Sequence, residues 1–89
     1  MRDNMSEKVE VLVKFFAMAR QAVGQKDMTV QVERRTTVKD LLDRLIEENP
    51  ELDEMRDILL VSVNKERADK DHPLEEGDEV AIMPPVTGG

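Results

Sequence analysis

The sequence predicts an α+β domain, a mixed sheet of four to five strands with one main helix packed on one face. Three observations carry this. Lys8 to Phe16 and Glu79 to Met83 alternate apolar and polar residues as half-buried strands do. One apolar stripe at helical spacing runs through Val38, Leu41, Leu42, Leu45 and Ile46. The segments follow one another as strand, strand, helix, strand, strand, with no internal repeat, linker or low-complexity run between them. At 89 residues the chain has room for one domain with a modest core.

In order along the chain, residues 1–7 are polar and without periodicity, and read as a disordered leader. In the first strand Val9, Val11, Val13 and Phe15 share one face, with Glu10 and Lys14 on the other. Ala17 to Val23 is a small-residue segment of one or two helical turns ending at Gly24. Met28, Val30 and Val32 alternate with Thr29, Gln31 and Glu33, giving a second strand that forms a hairpin-like unit with the first through a long connection. Thr37-Val38-Lys39-Asp40 resembles a capping box, in which a hydroxyl accepts from a free N–H and a carboxylate sits near the helix N-terminus. Asn49-Pro50 stops that helix. Leu59 to Val63 is a third strand, closed by a tight turn at Asn64-Lys65. Glu76-Gly77-Asp78 turns into the last strand, and Pro84-Pro85 ends pairing because neither residue can donate to a ladder. First and last strands can then lie side by side at the sheet centre. That arrangement is the β-grasp, here over residues 8–83, with 84–89 as a flexible tail.

Composition narrows the function classes. A formal net charge of −7 argues against nucleic acid, whose phosphates require a basic patch. No apolar run is long enough for a bilayer, and no apolar h-region follows Met1-Arg2-Asp3-Asn4, so a cytoplasmic location and no membrane partner are expected. There is no cysteine, which removes disulfides, thiolate metal sites and a side-chain thiol nucleophile. The single histidine, His72, stands before Pro73 and reads as a turn residue. No residue predicts a bound metal or cofactor.

Chemistry is expected in the tail. Gly88-Gly89 has no side chains and can enter a channel that any other dipeptide would block, while Pro84-Pro85 stiffens the exit from the sheet. The group at the tip is the carboxylate of Gly89. Adenylation would give it a leaving group, and a sulfide equivalent would then make a thiocarboxylate, ionised and nucleophilic near neutral pH as thiolates are. A Gly-Gly end alone is a weak signal and favours an inert tail; the full stretch from Asp78 to Gly89 shifts the balance.

The chain resembles the small subunit of molybdopterin synthase, a ubiquitin-like sulfur carrier family, from about Val9 to Gly89. Phe15-Phe16-Ala17-Met18-Ala19-Arg20 is similar to that family's first-strand signature. Val63-Asn64 and Leu74-Glu75-Glu76-Gly77-Asp78-Glu79-Val80 match later landmarks. Pro84-Pro85-Val86-Thr87-Gly88-Gly89 is similar to its characteristic end, where the family often has a small residue such as Ala in place of Thr87. The resemblance implies a β-grasp fold and adenylation by a ubiquitin-activating-like adenylyltransferase that uses ATP. It also implies a thiocarboxylate at Gly89 and a large catalytic subunit whose active site takes the tail and sulfurates a pyranopterin precursor. On that reading the chain is the non-catalytic subunit of a sulfurtransferase. Arg20 belongs to the signature and is given a structural role only, as a partner for an acidic group.

Other readings stay open on the sequence: a protein modifier joined through Gly89 to lysines, a carrier for thiamine or tRNA thiolation, and a plain interaction domain. One further feature concerns docking. Leu12, Phe16, Leu60, Ala81 and Met83 are apolar but fall out of the inward phase of their strands. They either form an exposed patch on the helix-free face, as partner sites do, or are buried by edge and end effects.

Overall fold

The computed structural model describes residues 7–84. The leader expected at 1–7 and the tail expected at 84–89 therefore fall outside it, apart from Glu7 and Pro84. The elements are β1 (Lys8–Phe15), α1 (Ala17–Val23), β2 (Asp27–Glu33), α2 (Val38–Glu48), a short 3-10 helix (Pro50–Met55), β3 (Leu60–Val63), β4 (Glu66–Arg67) and β5 (Glu79–Met83).

The five strands form one mixed sheet in the order β2-β1-β5-β3-β4. The first and last long strands are central and parallel, with Val13 opposite Val80 and Phe15 opposite Ile82. β2 runs antiparallel to β1, and β3 antiparallel to β5. This is the β-grasp that the order of segments predicts.

Alternation explains the core. Val11, Val13, Phe15, Val30, Val32, Val61, Val63, Val80 and Ile82 point to one face and are buried there with the α2 stripe Val38, Leu41, Leu42, Leu45 and Ile46. Thr37 caps α2 as its sequence suggests: its hydroxyl accepts from Asp40 N–H at 3.1 Å, and the Asp40 carboxylate accepts from Thr37 N–H at 3.4 Å. The 70–72 segment supplies carbonyls to the next N–H groups, His72 O to Val38 and Lys70 O to Lys39, both at 2.9 Å. His72 is exposed in that turn.

Four details differ from the sequence reading. Pro50 ends α2 but starts the 3-10 helix, because its fixed φ and missing N–H suit a first helical position; Leu52 plugs this segment into the core. Phe16 lies outside β1: it caps α1 in extended conformation, and Ala17 then turns sharply at φ +53°. β3 begins at Leu60, since Leu59 N–H is held by Met55 O at 3.1 Å instead of a strand partner. β4 is a two-residue strand after the Asn64-Lys65 turn, too short for any alternation to mark it.

Candidate functional site at the tail end of the sheet

β5 delivers the chain to Pro84 at one end of the sheet, and the helix-free face around that exit is where the predicted docking residues fall. Leu60 is directly opposite Met83, and Ser62 opposite Ala81. Phe16 joins them because its N–H donates to Ile82 O at 3.1 Å. Phe16 is 41% exposed, while Leu60, Ala81, Met83 and Pro84 are half-buried. The structure thus brings Phe16, Leu60, Ala81 and Met83 together. Leu12, also half-buried, stands apart in register with Glu79, one row further from the exit.

Between Leu12 and Ala81 passes a diagonal ion pair, with Lys14 Nζ 2.8 Å from Glu79 Oε2. The hydrogen bond and charge of Glu79 hold the Lys14 ammonium above its ordinary range, and Lys14 in turn holds the Glu79 carboxyl below its own. The centre of the face is therefore polar, with Leu12 on one side of the ion pair and the apolar group of Phe16, Leu60, Ala81 and Met83 at the exit on the other. Arg20 is exposed, and the ion pairs found among the described residues do not include it.

Asn64 fixes the two strands that carry the exit. Asn64 and Lys65 have φ +54° and +73°, the left-handed pair of a two-residue hairpin turn. The Asn64 N–H donates to Glu79 O at 2.8 Å, its Oδ1 accepts from Glu79 N–H at 3.0 Å, and its Nδ2 donates to Asp78 Oδ1 at 2.9 Å. On the other side of β5, Gly77 N–H reaches Glu10 O at 2.9 Å and Leu12 N–H reaches Asp78 O at 3.0 Å. At φ +85° Gly77 occupies a conformation that residues with a Cβ adopt at a cost. The family landmarks quoted from the sequence are thus the residues that aim β5.

Among the described residues no polar or charged side chain is buried, and no group of His, Asp and Glu could hold a metal ion. Nor is any helix there long and apolar enough to cross a membrane. Asp43 has the remaining perturbed carboxyl: Lys39 at 2.9 Å, opposed by burial and aided by Arg56 at 3.3 Å, lowers it, and the three tie α2 to the 3-10 helix. That cluster is structural. Pro85, Gly88 and Gly89, the other predicted tail residues, lie outside the described residues.

The ThiS family model matches residues 13–89. The chain belongs to the ThiS family. Among relatives in this family, the molybdopterin synthase sulfur carrier subunit of Escherichia coli is 39% identical over 83 residues, covering 89% of this chain and 99% of that protein. The putative molybdopterin converting factor subunit 1 of Pyrococcus furiosus superposes with a TM-score of 0.81 at 28% identity, over 88% of this chain and 99% of that one. Small archaeal modifier protein 1 of Haloferax volcanii gives a TM-score of 0.77 at 31% identity, over 88% and 99% of the two chains. Two exposed residues of this ThiS-family member were not singled out by the sequence: Met18, 59% exposed on α1, and Ile58, 54% exposed before β3. Their signal was present in part, since each is a large apolar residue outside any periodic stripe.

Proposed function

We propose that the chain is the sulfur carrier subunit of a molybdopterin synthase, with Gly89 as the site of the chemistry. The observation that carries this reading is the exit of the chain from the sheet: the central strand β5 ends at Met83, and Phe16, Leu60, Ala81 and Met83 gather an apolar surface beside Pro84, five residues before Gly89. The names of the curated relatives, sulfur carrier subunits, agree.

In the proposed cycle an oxygen of the Gly89 carboxylate attacks the α-phosphate of ATP in an activating adenylyltransferase, and pyrophosphate leaves. A sulfide equivalent then displaces AMP to give the thiocarboxylate. In a large subunit the thiocarboxylate sulfur displaces an oxygen leaving group from a carbon of the pyranopterin precursor, forming a thioester. Water then cleaves the acyl–sulfur bond, so that the sulfur stays on the product and the Gly89 carboxylate is restored. This chain contributes the tail and the apolar exit that seats it, and the partners contribute the catalytic groups and the binding of phosphates that an acidic protein repels.

Intact mass of the protein taken from its native host tests this: one oxygen-to-sulfur exchange at Gly89 is expected, together with a co-purifying large subunit. A chain recovered only with an oxygen terminus while the host is making molybdenum cofactor would count against it. Deleting Gly89 should abolish sulfur transfer and leave the melting curve unchanged. The likeness to small archaeal modifier protein 1 favours a second reading, in which activated Gly89 is joined to lysines of other proteins. Slower-migrating conjugates on denaturing gels, lost with Gly89, are its mark.

A further inference from the structure

Phe16, Met18 and Ile58 are the large apolar side chains most exposed among the described residues, and strand register, backbone bonds and helix packing place the three segments that carry them next to the end of β5. Phe16 is bonded to the end of β5, and Met18 follows two residues later on α1, which packs against β5 and the 3-10 helix. Ile58 leaves the 3-10 helix two residues before Leu60, the register partner of Met83. Ala17, held at φ +53°, is the bend between Phe16 and Met18, and a non-glycine residue persists there only at a cost in strain.

Resting on the carrier reading above, we infer that the partner surface extends beyond the open sheet face, turning the corner of the sheet through Met18 and Ile58 to make an apolar collar around the tail exit. The occupant is the mouth of the large subunit's tail-binding cleft, apolar where it meets the collar and cationic along one rim. Two observations select that occupant. Gly89 is five residues from Pro84, so the cleft floor lies within roughly 17 Å of Pro84 even with the tail fully extended, and the cleft mouth must rest on the residues around the exit. Beside the collar, the 3-10 helix and the turn after it carry exposed Glu51, Asp53, Glu54 and Asp57 against Arg56, which is already engaged by Asp43 and Asp53. A carboxylate rim of that kind matches lysines and arginines on the partner and repels an acidic surface. A second copy of this acidic chain is disfavoured for the same reason.

The test is a binding titration of the full chain against the large subunit of its own host, with melting curves for every variant. Met18→Ser with Ile58→Ser in one chain should weaken binding about tenfold or more, as loss of central apolar anchors does, with the melting curve unchanged. Glu51→Lys with Glu54→Lys should slow association and flatten its dependence on salt. If the Met18/Ile58 variant binds as tightly as the unmodified chain while Leu60→Asp abolishes binding, the open face alone docks; the collar is then overturned and the carrier reading stands. Sedimentation of the unmodified chain as a dimer and of the Met18/Ile58 variant as a monomer would assign the collar to a second copy and overturn the proposal. An unmodified chain that binds no large subunit overturns the carrier reading and the collar together.

Discussion

Lys14 and Glu79 lie on neighbouring parallel strands and meet diagonally, Nζ to Oε2 at 2.8 Å, across the middle of the face that the helices leave open. Each shifts the other toward its charged form. Glu79 is held below its ordinary 4.5, so its contribution to stability is present at neutral pH and is lost as pH falls through the folded-state value. Lys14 is held above 10.5, so its contribution is present at neutral pH and is lost as pH rises through the folded-state value. Urea midpoints of the unmodified chain and Glu79→Gln should therefore differ by a constant amount between those limits and converge at both extremes. The gap is small and shrinks with salt, because the two side chains are 39% and 33% exposed. A gap that persists at pH values well below 4 would refute the assignment.

Asn64 satisfies both backbone groups of Glu79 and ties Asp78, while holding a left-handed φ that asparagine tolerates better than most residues. Asn64→Ala should cost about 1–3 kcal/mol, since it leaves Glu79 N–H without its partner and adds strain. At the adjacent φ +73°, Lys65→Gly should gain up to about 1 kcal/mol, as the second residue of such a turn favours glycine. Denaturant unfolding with an unchanged slope would verify both.

Thr37→Ala removes the hydroxyl of the capping box and orphans Asp40 N–H. The expected loss is about 1 kcal/mol, which in a domain of this size lowers the melting temperature by roughly 4–8 °C. Calorimetry reads this directly, and Thr37→Ser should retain most of the stability.

Ala17→Gly tests the strained bend. Glycine takes φ +53° freely, whereas an L-residue pays roughly 1–2 kcal/mol there. Glycine's larger unfolded-state entropy offsets part of that, so a net stabilisation of up to about 1 kcal/mol is expected in urea unfolding. Ala17→Val should be destabilising, because a branched Cβ fits this region worst. Identical midpoints for all three would mean that the bend relaxes at little cost.

The central elements were legible because their signals are periodic. The alternation at Val11, Val13 and Phe15 and the stripe from Val38 to Ile46 record burial on one face, and burial dictates both strand pairing and helix docking. Tertiary bonding is written differently. The 3-10 helix has one buried anchor, Leu52, and one anchor has no period. The diagonal meeting of Lys14 with Glu79 depends on parallel register, which joins residues 65 positions apart through a pairing that neither strand encodes alone. For the docking residues, phase singled out Leu12, Phe16, Leu60, Ala81 and Met83, but only the register separates Leu12 from the others. Met18 and Ile58 lie on a short helix and in a turn, where no strand phase could mark them.

The reading of the exit as a docking surface makes Leu60 the most informative position. It is half-buried opposite Met83, so its side chain contributes to an apolar surface more than to the core. Leu60→Asp should therefore cost little stability, on the order of 1 kcal/mol, as a half-exposed strand position allows. At a partner interface the same carboxylate would be desolvated without a counter-charge, which costs several kcal/mol. On the proposed carrier function, binding to a large subunit and to an activating adenylyltransferase should fall by more than about a hundredfold, while the melting temperature shifts by a few degrees. Parallel titrations and melting curves separate these effects. Loss of binding matched by an equal loss of fold would place Leu60 in the core's support, whereas intact binding to either partner would remove that partner from this end of the sheet.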